Sequence, residues 1–495
     1  MSYTCQVDRH GAHHLELELS YPLRRGADGS RYGVEVFLFT PMALGLNRER
    51  YGVAGFLHDV KSYTRCDLCA LPLAKMLDPG CALSPLNRLD RRLREMTTEH
   101  DLAADQVLYE LKTLVNLHHD AVRDVRDLFR RQWMHGLPEA SVLEFLAGYL
   151  RDHHAFLKAL RALYPRLVDP RIPESVRQAV RLADESISIK AEKELHHLAR
   201  LVAERGGLGD GPLAELEAAI AGEQSYRQRM GFPTVAGPDF CEGNERYVYR
   251  ESNLKKWAQS STYMTVETAK TTARLSQFLA GLAAALAMAF AVAAALVTQM
   301  FYDMNSLPWA ILIVFSYILK DRIKELARNA MINLVPTLVA DRVVKLTDPR
   351  GGDDVGRSRE RVRFFTSDQA PEDIRQMRGR QSDSFRAILP PEQVIQFSKV
   401  LLLDSEDLLK NHQRVVGIKE IIRINLGSWL GQMDDPVDEL FNYADGQRQK
   451  VKTLRVYHVN MIVRLTEKAG EQARALFKYR VILTRNGIER VEEIN

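Results

Sequence analysis

A run of 25 residues from Phe278 to Tyr302 contains no Asp, Glu, Lys, Arg or His, and it constrains the fold more than any other feature. As a helix of about 1.5 Å per residue, it reaches about 37 Å, more than the roughly 30 Å hydrocarbon core of a bilayer. A second apolar run, Leu307 to Leu319, reaches only about 20 Å. The pattern predicts a transmembrane helical hairpin at about 275–320, with spans at about 278–302 and 304–320. Two alternatives stay open: both runs lie buried in a large soluble domain, or the second run alone is re-entrant or buried.

The charges that flank the two runs predict the orientation of this hairpin. Lys270 and Arg274 precede the first run, Lys320 and Arg322 follow the second, and the connection between the runs holds no Lys or Arg. Positively charged flanks stay on the cytoplasmic side of a membrane. We therefore expect a multi-pass protein of the cell (inner) membrane with both termini in the cytoplasm. The residues expected at the membrane interface are Tyr302, Trp309, Lys320 and Arg322.

Small residues recur every fourth position along the first run. Gly281, Ala285, Ala289 and Ala293 form a ridge that would let another helix approach closely. This ridge predicts self-association, so we expect a homo-oligomer. The alternative is that the second run of the same chain packs there, since the segment is rich in alanine throughout.

Composition limits the membrane part to a minority of the chain. The mean hydropathy of -0.24 is typical of soluble proteins, and 495 residues predict two or three folding units. With 68 basic and 64 acidic residues the charge is nearly balanced, so nucleic acid is not expected as a partner. Five cysteines and a polar start from Met1 to Arg9 indicate no signal peptide and a reducing compartment.

The pattern of helix and strand signals predicts an α+β membrane protein. It would combine a helical bundle, the two-span transmembrane hairpin and a small C-terminal domain that is α+β or mainly β. The expected segments are an N-terminal β-hairpin (1–45), a Cys-containing segment (46–83), the helical bundle (84–232), a linker and juxtamembrane helix (233–274), the transmembrane hairpin (275–320), an amphipathic helix (321–350), a polar basic loop (351–380) and the C-terminal domain (381–495).

Alternating apolar and polar residues predict strands at both ends of the chain. His14 to Tyr21 and Tyr32 to Phe39 follow this pattern and are expected to pair as a β-hairpin. Near the C-terminus, Asn486-Gly487 is a strong signal for a second hairpin. Two strands alone are marginal in water, so we expect the N-terminal strands to join the C-terminal sheet.

Cys66 and Cys69 have the spacing of a zinc or redox pair. Cys81 and His58 are near enough in sequence to complete four ligands, which makes zinc the one cofactor suggested. The competing interpretation is ordinary buried thiols, because a second clear ligand pair is missing. Glu194 and His197 form a single Glu-x-x-His, whereas a two-metal bundle needs two copies.

Four arginines alternate with other residues in the segment expected to be a loop. Arg357, Arg359, Arg361 and Arg363 lie behind the second apolar run, where they could contact anionic lipid headgroups. The alternative is a solvated charged loop.

The leading functional interpretation is a membrane-anchored scaffold or interaction protein whose soluble parts face the cytoplasm and bind a cytoplasmic protein. No residue set is assigned to catalysis or cofactor binding, because no complete group of acid, base and nucleophile is recognisable. The alternatives are a pore-forming channel subunit assembled from several chains and a metal-dependent enzyme.

Overall fold

A computed structural model describes residues 4–23, 30–98, 104–134, 136, 138–205, 210–238, 240–269, 271–303, 306–338, 340–379, 392–444, 446–467 and 473–494. The fold is α+β, with large antiparallel sheets and thirteen helices in the described ranges. Lys270 and Met304, which the sequence places at the ends of the two runs, lie outside these ranges.

The strands form two larger sheets and one isolated pair. The first sheet has four strands in the order β1 (Thr4–His10), β2 (His14–Pro22), β9 (Val415–Asn425) and β4 (Val60–Leu68). The second has eight strands in the order β14 (Gly487–Glu493), β13 (Ala473–Thr484), β12 (Tyr457–Glu467), β3 (Ser30–Thr40), β8 (Gln393–Leu403), β7 (Asp354–Thr366), β6 (Arg342–Thr347) and β5 (Thr265–Ala269). The pair is β10 (Val437–Ala444) with β11 (Gln447–Leu454).

The two larger sheets pack face to face around one apolar core. Alternation puts Leu15, Leu17 and Leu19 of β2 on the inner face of the first sheet, where each is at most 1% exposed. They share a core with Val36 of β3 and Phe397 of β8. The prediction that N-terminal strands join C-terminal strands is confirmed by the pairing of β2 with β9 and of β3 with β8.

The expected pairing of His14–Tyr21 with Tyr32–Phe39 is wrong. These strands lie in different sheets, because β2 finds its hairpin partner in β1 and the apolar faces of β2 and β3 meet across the core. The hairpin at Asn486-Gly487 is confirmed, since Thr484 of β13 pairs with Gly487 of β14.

Helices between β4 and β5 form a second core beside the first sheet. They are α2 (Leu73–Leu77), α3 (Pro85–Thr98), α4 (Ala104–Met134), α5 (Glu139–Arg161), α6 (Glu174–Arg205), α7 (Asp210–Met230) and α8 (Glu242–Gln259), and α1 (Gly52–Asp59) precedes β4. Their core takes in Leu71, before the boundary expected at 84, and Ala258, after the boundary at 232. A self-contained helical bundle is therefore not supported, and we call this part the helical region.

Two long helices, α9 (Thr271–Phe301) and α10 (Leu307–Leu338), form an apolar hairpin. The strand that leads into it, β5, pairs with the strand that leaves it, β6, and Ala269 lies opposite Val343. The hairpin therefore begins and ends at the same edge of the eight-stranded sheet.

The prediction of two transmembrane spans is wrong. Among the described helices only Ala280–Phe301, with 22 residues, is long and apolar enough to cross a bilayer. The apolar part of α10 is too short, because Lys320, Asp321 and Arg322 follow Leu319 directly. A multi-span membrane protein is therefore not supported.

The segments on either side of the hairpin also differ from expectation. The juxtamembrane helix expected before the first run is interrupted, because α8 ends at Gln259 and β5 follows. The polar basic loop expected at 351–380 is largely β7, followed by α11 (Glu372–Gly379). Alternation of Arg with Ser, Glu and Val has a period of two, which suits a strand with one buried face. Helices α12 (Ser405–Asn411) and α13 (Gly427–Leu430) complete the fold.

Candidate functional site

The surface of the α9–α10 hairpin is unusually apolar. Only 11% of the apolar window in Ala280–Phe301 is buried within the protein. Large side chains that are more than half exposed include Phe278, Leu286, Met288, Val292, Leu296, Met300, Ile311, Val314, Phe315 and Ile318. A contiguous exposed surface of this kind marks contact with a membrane or another protein.

The two helices meet through small side chains. Ala283 and Ala287 of α9 are at most 1% exposed, and Thr298 continues the same seam at 9%. Half-buried Trp309 and Ile313 lie on the facing side of α10. The hairpin thus packs its small residues inward and turns its large apolar residues outward.

The ridge singled out in the sequence lies on another face of α9. Gly281, Ala285, Ala289 and Ala293 are all exposed, so the second helix packs on the neighbouring seam and leaves the ridge uncovered. An ideal Cβ built at Gly281 meets no atom within 4 Å.

The predicted interface residues lie near the turn of the hairpin and near the middle of α10. Tyr302 is 44% exposed and Trp309 is half-buried, both near the turn. In the middle of α10, Lys320 places its ammonium 3.6 Å from the centre of the Tyr317 ring. The exposed Arg322 lies 3.6 Å from Glu325.

Beside the base of the hairpin, β7 carries the four alternating arginines on one face. Ser358, Glu360 and Val362 point into the sandwich and are at most 5% exposed, whereas the arginines face outward. Within the described ranges, Arg357, Arg359, Arg361 and Arg363 form no ion pair with another side chain.

The four proposed zinc ligands are not brought together. Cys66 points into the core of the sandwich, where burial raises the pKa of its thiol to about 12. His58 is 87% exposed and lies in the last turn of α1, and the rise of about 3.3 Å per residue in β4 puts Val60, two residues later, roughly 20 Å from Cys66. Among the residues that the structure describes, no group of three or more His, Cys, Asp or Glu could hold a metal ion.

The helical histidines do not form the two-metal arrangement either. Glu194 is 1% exposed and accepts hydrogen bonds from Arg126 at 3.1 and 3.2 Å, and Lys190 lies 2.5 Å away. His197, three residues later, is exposed. The Glu194 carboxylate is therefore paired with the side chains of Arg126 and Lys190.

A polar cavity of about 330 Å³ lies between the four-stranded sheet and the helical region. Bases and acids alternate along its wall: Glu16, Glu18, Arg65, Asp67, Asp120, Arg123, Lys190, Lys255, Lys419 and Arg423. Most of them pair across the cavity wall, as Arg65 does with Glu18 at 3.2 Å and Lys419 with Asp67 at 3.3 Å. The cavity can accept a small charged ligand, but its charges largely neutralise one another.

The one hydroxyl and imidazole contact in this cavity is unsuited to catalysis. His119 Nε2 lies 3.4 Å from the Ser186 hydroxyl, but it also lies 3.2 Å from the Ser186 carbonyl oxygen. A ring nitrogen that donates to a carbonyl cannot accept a hydroxyl proton. Burial and then Lys190 lower the pKa of His119 to about 3, so the ring is a weak base.

Between the two sheets lies a buried ionic cluster. Lys399 contacts Glu420, lies 3.6 Å from Glu360 and donates to the Ser62 hydroxyl at 3.0 Å. All three charged residues are at most 4% exposed. Burial raises the pKa of the Glu420 carboxyl, while Lys399 opposes this shift. The cluster is closed on all sides and ties the sheets together.

Two parts of these sites were missed from the sequence. Arg31 of β3 joins Arg359 and Arg361 around one groove, a contact that depends on the pairing of β3 with β8. Glu16 and Lys419 face the polar cavity rather than water, and only the alternation of β2 and β9 hinted that they share a face.

Comparisons of the chain with protein-family models, curated proteins and solved structures give no match. Function is therefore argued from geometry alone.

Proposed function

We propose that this protein is a membrane-anchored scaffold or interaction protein, held by the apolar hairpin. The observation that carries the proposal is the exposure of large apolar side chains all around α9 and the first half of α10. In water such a surface is strongly unfavourable, at about 25 cal/mol per Å² of apolar area. Hydrocarbon removes this cost, with Ala280–Phe301 as the segment that enters it.

The pairing of β5 with β6 supports a single face for the soluble parts. Because both ends of the hairpin are tied to one sheet edge, the folded body lies on one side and the hairpin inserts into the membrane from that face. Lys320, Arg322 and Lys324 follow the apolar part of α10 on the side away from the turn, and no Lys or Arg is found at the described residues of the turn. Because Lys and Arg that flank a membrane segment stay on the cytoplasmic side, we propose that this face is cytoplasmic.

Alkaline extraction of membranes tests the anchor. The intact chain should stay in the pellet, whereas the double variant Leu286→Arg, Val292→Arg should move substantially to the supernatant, since each central Arg costs about 2.5–3.5 kcal/mol in hydrocarbon. Val248→Arg is the matched control, because Val248 is 59% exposed on α8 of the folded body. Release of the unaltered chain by carbonate would refute the anchor.

We further propose that copies of the chain associate through the uncovered ridge of Gly281, Ala285, Ala289 and Ala293. Its support is that the intramolecular contact uses Ala283 and Ala287 and leaves the ridge open to a helix of another copy. The mass of the detergent-solubilised chain should fall to that of a monomer when Ala285 is replaced by Leu. Met288→Leu, an exposed swap off the ridge, should leave the mass unchanged. A monomeric wild-type chain would count against association.

A further inference from the structure

The outer face of the eight-stranded sheet holds a groove of about 250 Å³ next to the hairpin. Its lining comprises Arg31, Arg359, Glu360 and Arg361, the apolar Val400 and Leu402, and Ser398. Ala340, which follows α10 closely, also lines the groove. Three guanidinium groups beside apolar side chains suit an anionic head with an attached apolar chain.

The strand register places one end of this groove level with the base of the hairpin, whereas Arg31, opposite Leu402, lies towards the other end of the sheet. Arg359 of β7 lies opposite Val343, the second residue of β6, and Val343 lies opposite Ala269, the last residue of β5. Arg361 and Arg363 continue beyond that point. Neighbouring strands are about 4.8 Å apart, so the arginine row is only about 10 Å from the strand that enters the hairpin.

The arginines keep their charge available for a ligand. Arg31 and Arg359 are exposed, and neither forms an ion pair within the described part of the chain. Glu360 lines the groove too, but it is 1% exposed and its carboxylate pairs with Arg342 and Lys399 in the sandwich. Asp341 interacts with Arg361, and its carboxylate already accepts the Val362 amide at 2.8 Å. On the other side, Glu35 is paired with Arg464 at 2.6 Å. The groove therefore retains a net positive charge.

We propose that this groove binds the headgroup of an anionic phospholipid, with the guanidinium groups on the phosphate and the apolar lining residues next to the start of the acyl chains. The proposal rests on the proposed membrane anchor, which directs the hairpin end of the sheet towards the bilayer. It adds a preference for lipid charge that the apolar hairpin alone does not supply. The α11 helix covers the other half of the same sheet face, over Phe37 and Val394, so the bare part is confined to the arginine end.

Calorimetric titration of the full-length chain in nonionic detergent tests the site. Dihexanoyl phosphatidylglycerol should bind at least tenfold tighter than dihexanoyl phosphatidylcholine. Arg359→Gln with Arg361→Gln should weaken phosphatidylglycerol binding roughly 25-fold, at about fivefold for each lost charge. The matched control Arg130→Gln with Arg131→Gln removes two exposed charges from α4 and should change affinity less than twofold.

Two measurements keep this test decisive. Arg31→Gln removes one charge from a different strand and should cost about fivefold even if the double variant misfolds. Equal affinity for the two lipids, or unchanged affinity in Arg31→Gln, would overturn the proposal. Binding of inorganic phosphate as tight as that of phosphatidylglycerol would assign the groove to free phosphate instead. Since carbonate extraction tests the anchor separately, loss of lipid preference with retained anchoring refutes only the groove.

Discussion

Two pairs of helices in this molecule have almost the same length and opposite surfaces. Helices α4 and α6 have 31 and 32 residues, and α9 and α10 also have 31 and 32. In the helical region, large residues such as Leu111 and Leu195 are fully buried and the outer face carries charged residues such as Lys193 and Arg200. In the hairpin, alanines are buried and large residues face outward. The same helix lengths therefore carry two different outer faces, one charged and one apolar, and the proposed membrane anchor depends on that difference.

The largest expected difference between the pairs is the cost of removing a large side chain. Leu195→Ala on α6 leaves a cavity in the helical core and should lower the free energy of unfolding by about 2–5 kcal/mol. Leu286→Ala on α9, where the side chain is 52% exposed, should change it by less than about 0.5 kcal/mol. Denaturant unfolding of both variants in detergent measures the contrast. Equal losses would mean that the outer face of α9 is packed against protein after all.

Enlarging a small residue should affect stability differently on two faces of α9, with the larger cost at the face that packs on α10. Ala287 lies in the seam with α10 and is 1% exposed, so Ala287→Leu should overpack it and cost about 1–3 kcal/mol. Ala285→Leu, two residues away and exposed, should leave the seam intact. Hydrogen exchange of amides in α9 should be fastest in the Ala287 variant, because opening of the hairpin becomes easier. Similar exchange in both variants would place the contact elsewhere.

Acid should destabilise the helical region and leave the hairpin unaffected. Burial lowers the pKa of His153 to about 4, with smaller influences from Glu223, His154 and Arg161. The unfolded chain takes up this proton near pH 6.5, so stability is complete above that pH and falls as the pH drops towards 4. The loss attributable to His153 between pH 7.5 and 5 is about 2 kcal/mol.

Substitutions distinguish the contribution of His153 to the acid sensitivity from that of its neighbour His154. His153→Leu should remove that part of the acid sensitivity, and His154→Leu, an exposed neighbour on the same helix, should retain it. Denaturant unfolding at the two pH values measures both. Membrane retention should not change over this range, since 278–302 contains no Asp, Glu, His, Lys or Arg. An identical acid loss in the wild type and in His153→Leu would contradict the assignment.

The sequence predicted those elements whose signals are local and regular. Helices were expected within 84–232, and α5 (Glu139–Arg161) and α6 (Glu174–Arg205) lie there, because helical periodicity and Pro or Gly breaks are local signals. The arginine row was seen as an alternation but interpreted as a loop. The buried face of β7 includes the polar Ser358 and Glu360, so its sequence lacks the apolar alternation typical of a strand. Glu360 is paired with Arg342 of the neighbouring strand, a contact that the local sequence does not indicate.

Long-range pairing explains most of what the sequence did not predict. Strand β3 sits between β12 and β8, more than 350 residues away in the chain, and no local pattern specifies those partners. The same holds for the candidate groove, which joins Arg31 to Arg359 only through this pairing. The described residues show no cluster of the predicted zinc ligands for a related reason: residues close in sequence along an extended strand, such as β4 between His58 and Cys66, can lie far apart in space.

The smallest expected effect concerns charges on the outer face of the helical region. Lys193 of α6 lies 2.5 Å from Glu251 of α8, with side chains 44% and 31% exposed. A double-mutant cycle with Lys193→Met and Glu251→Gln should give a coupling of about 0.2–1 kcal/mol that shrinks in high salt, because water screens exposed pairs. Removing one charge from the outer face of α6 or α8 should therefore cost little stability. Adding one charge to the outer face of α9 should, by contrast, be enough to weaken membrane attachment. A salt-independent coupling would instead show that α6 and α8 are shielded from water, and the contrast between the two helix pairs would then lie in packing rather than in solvent.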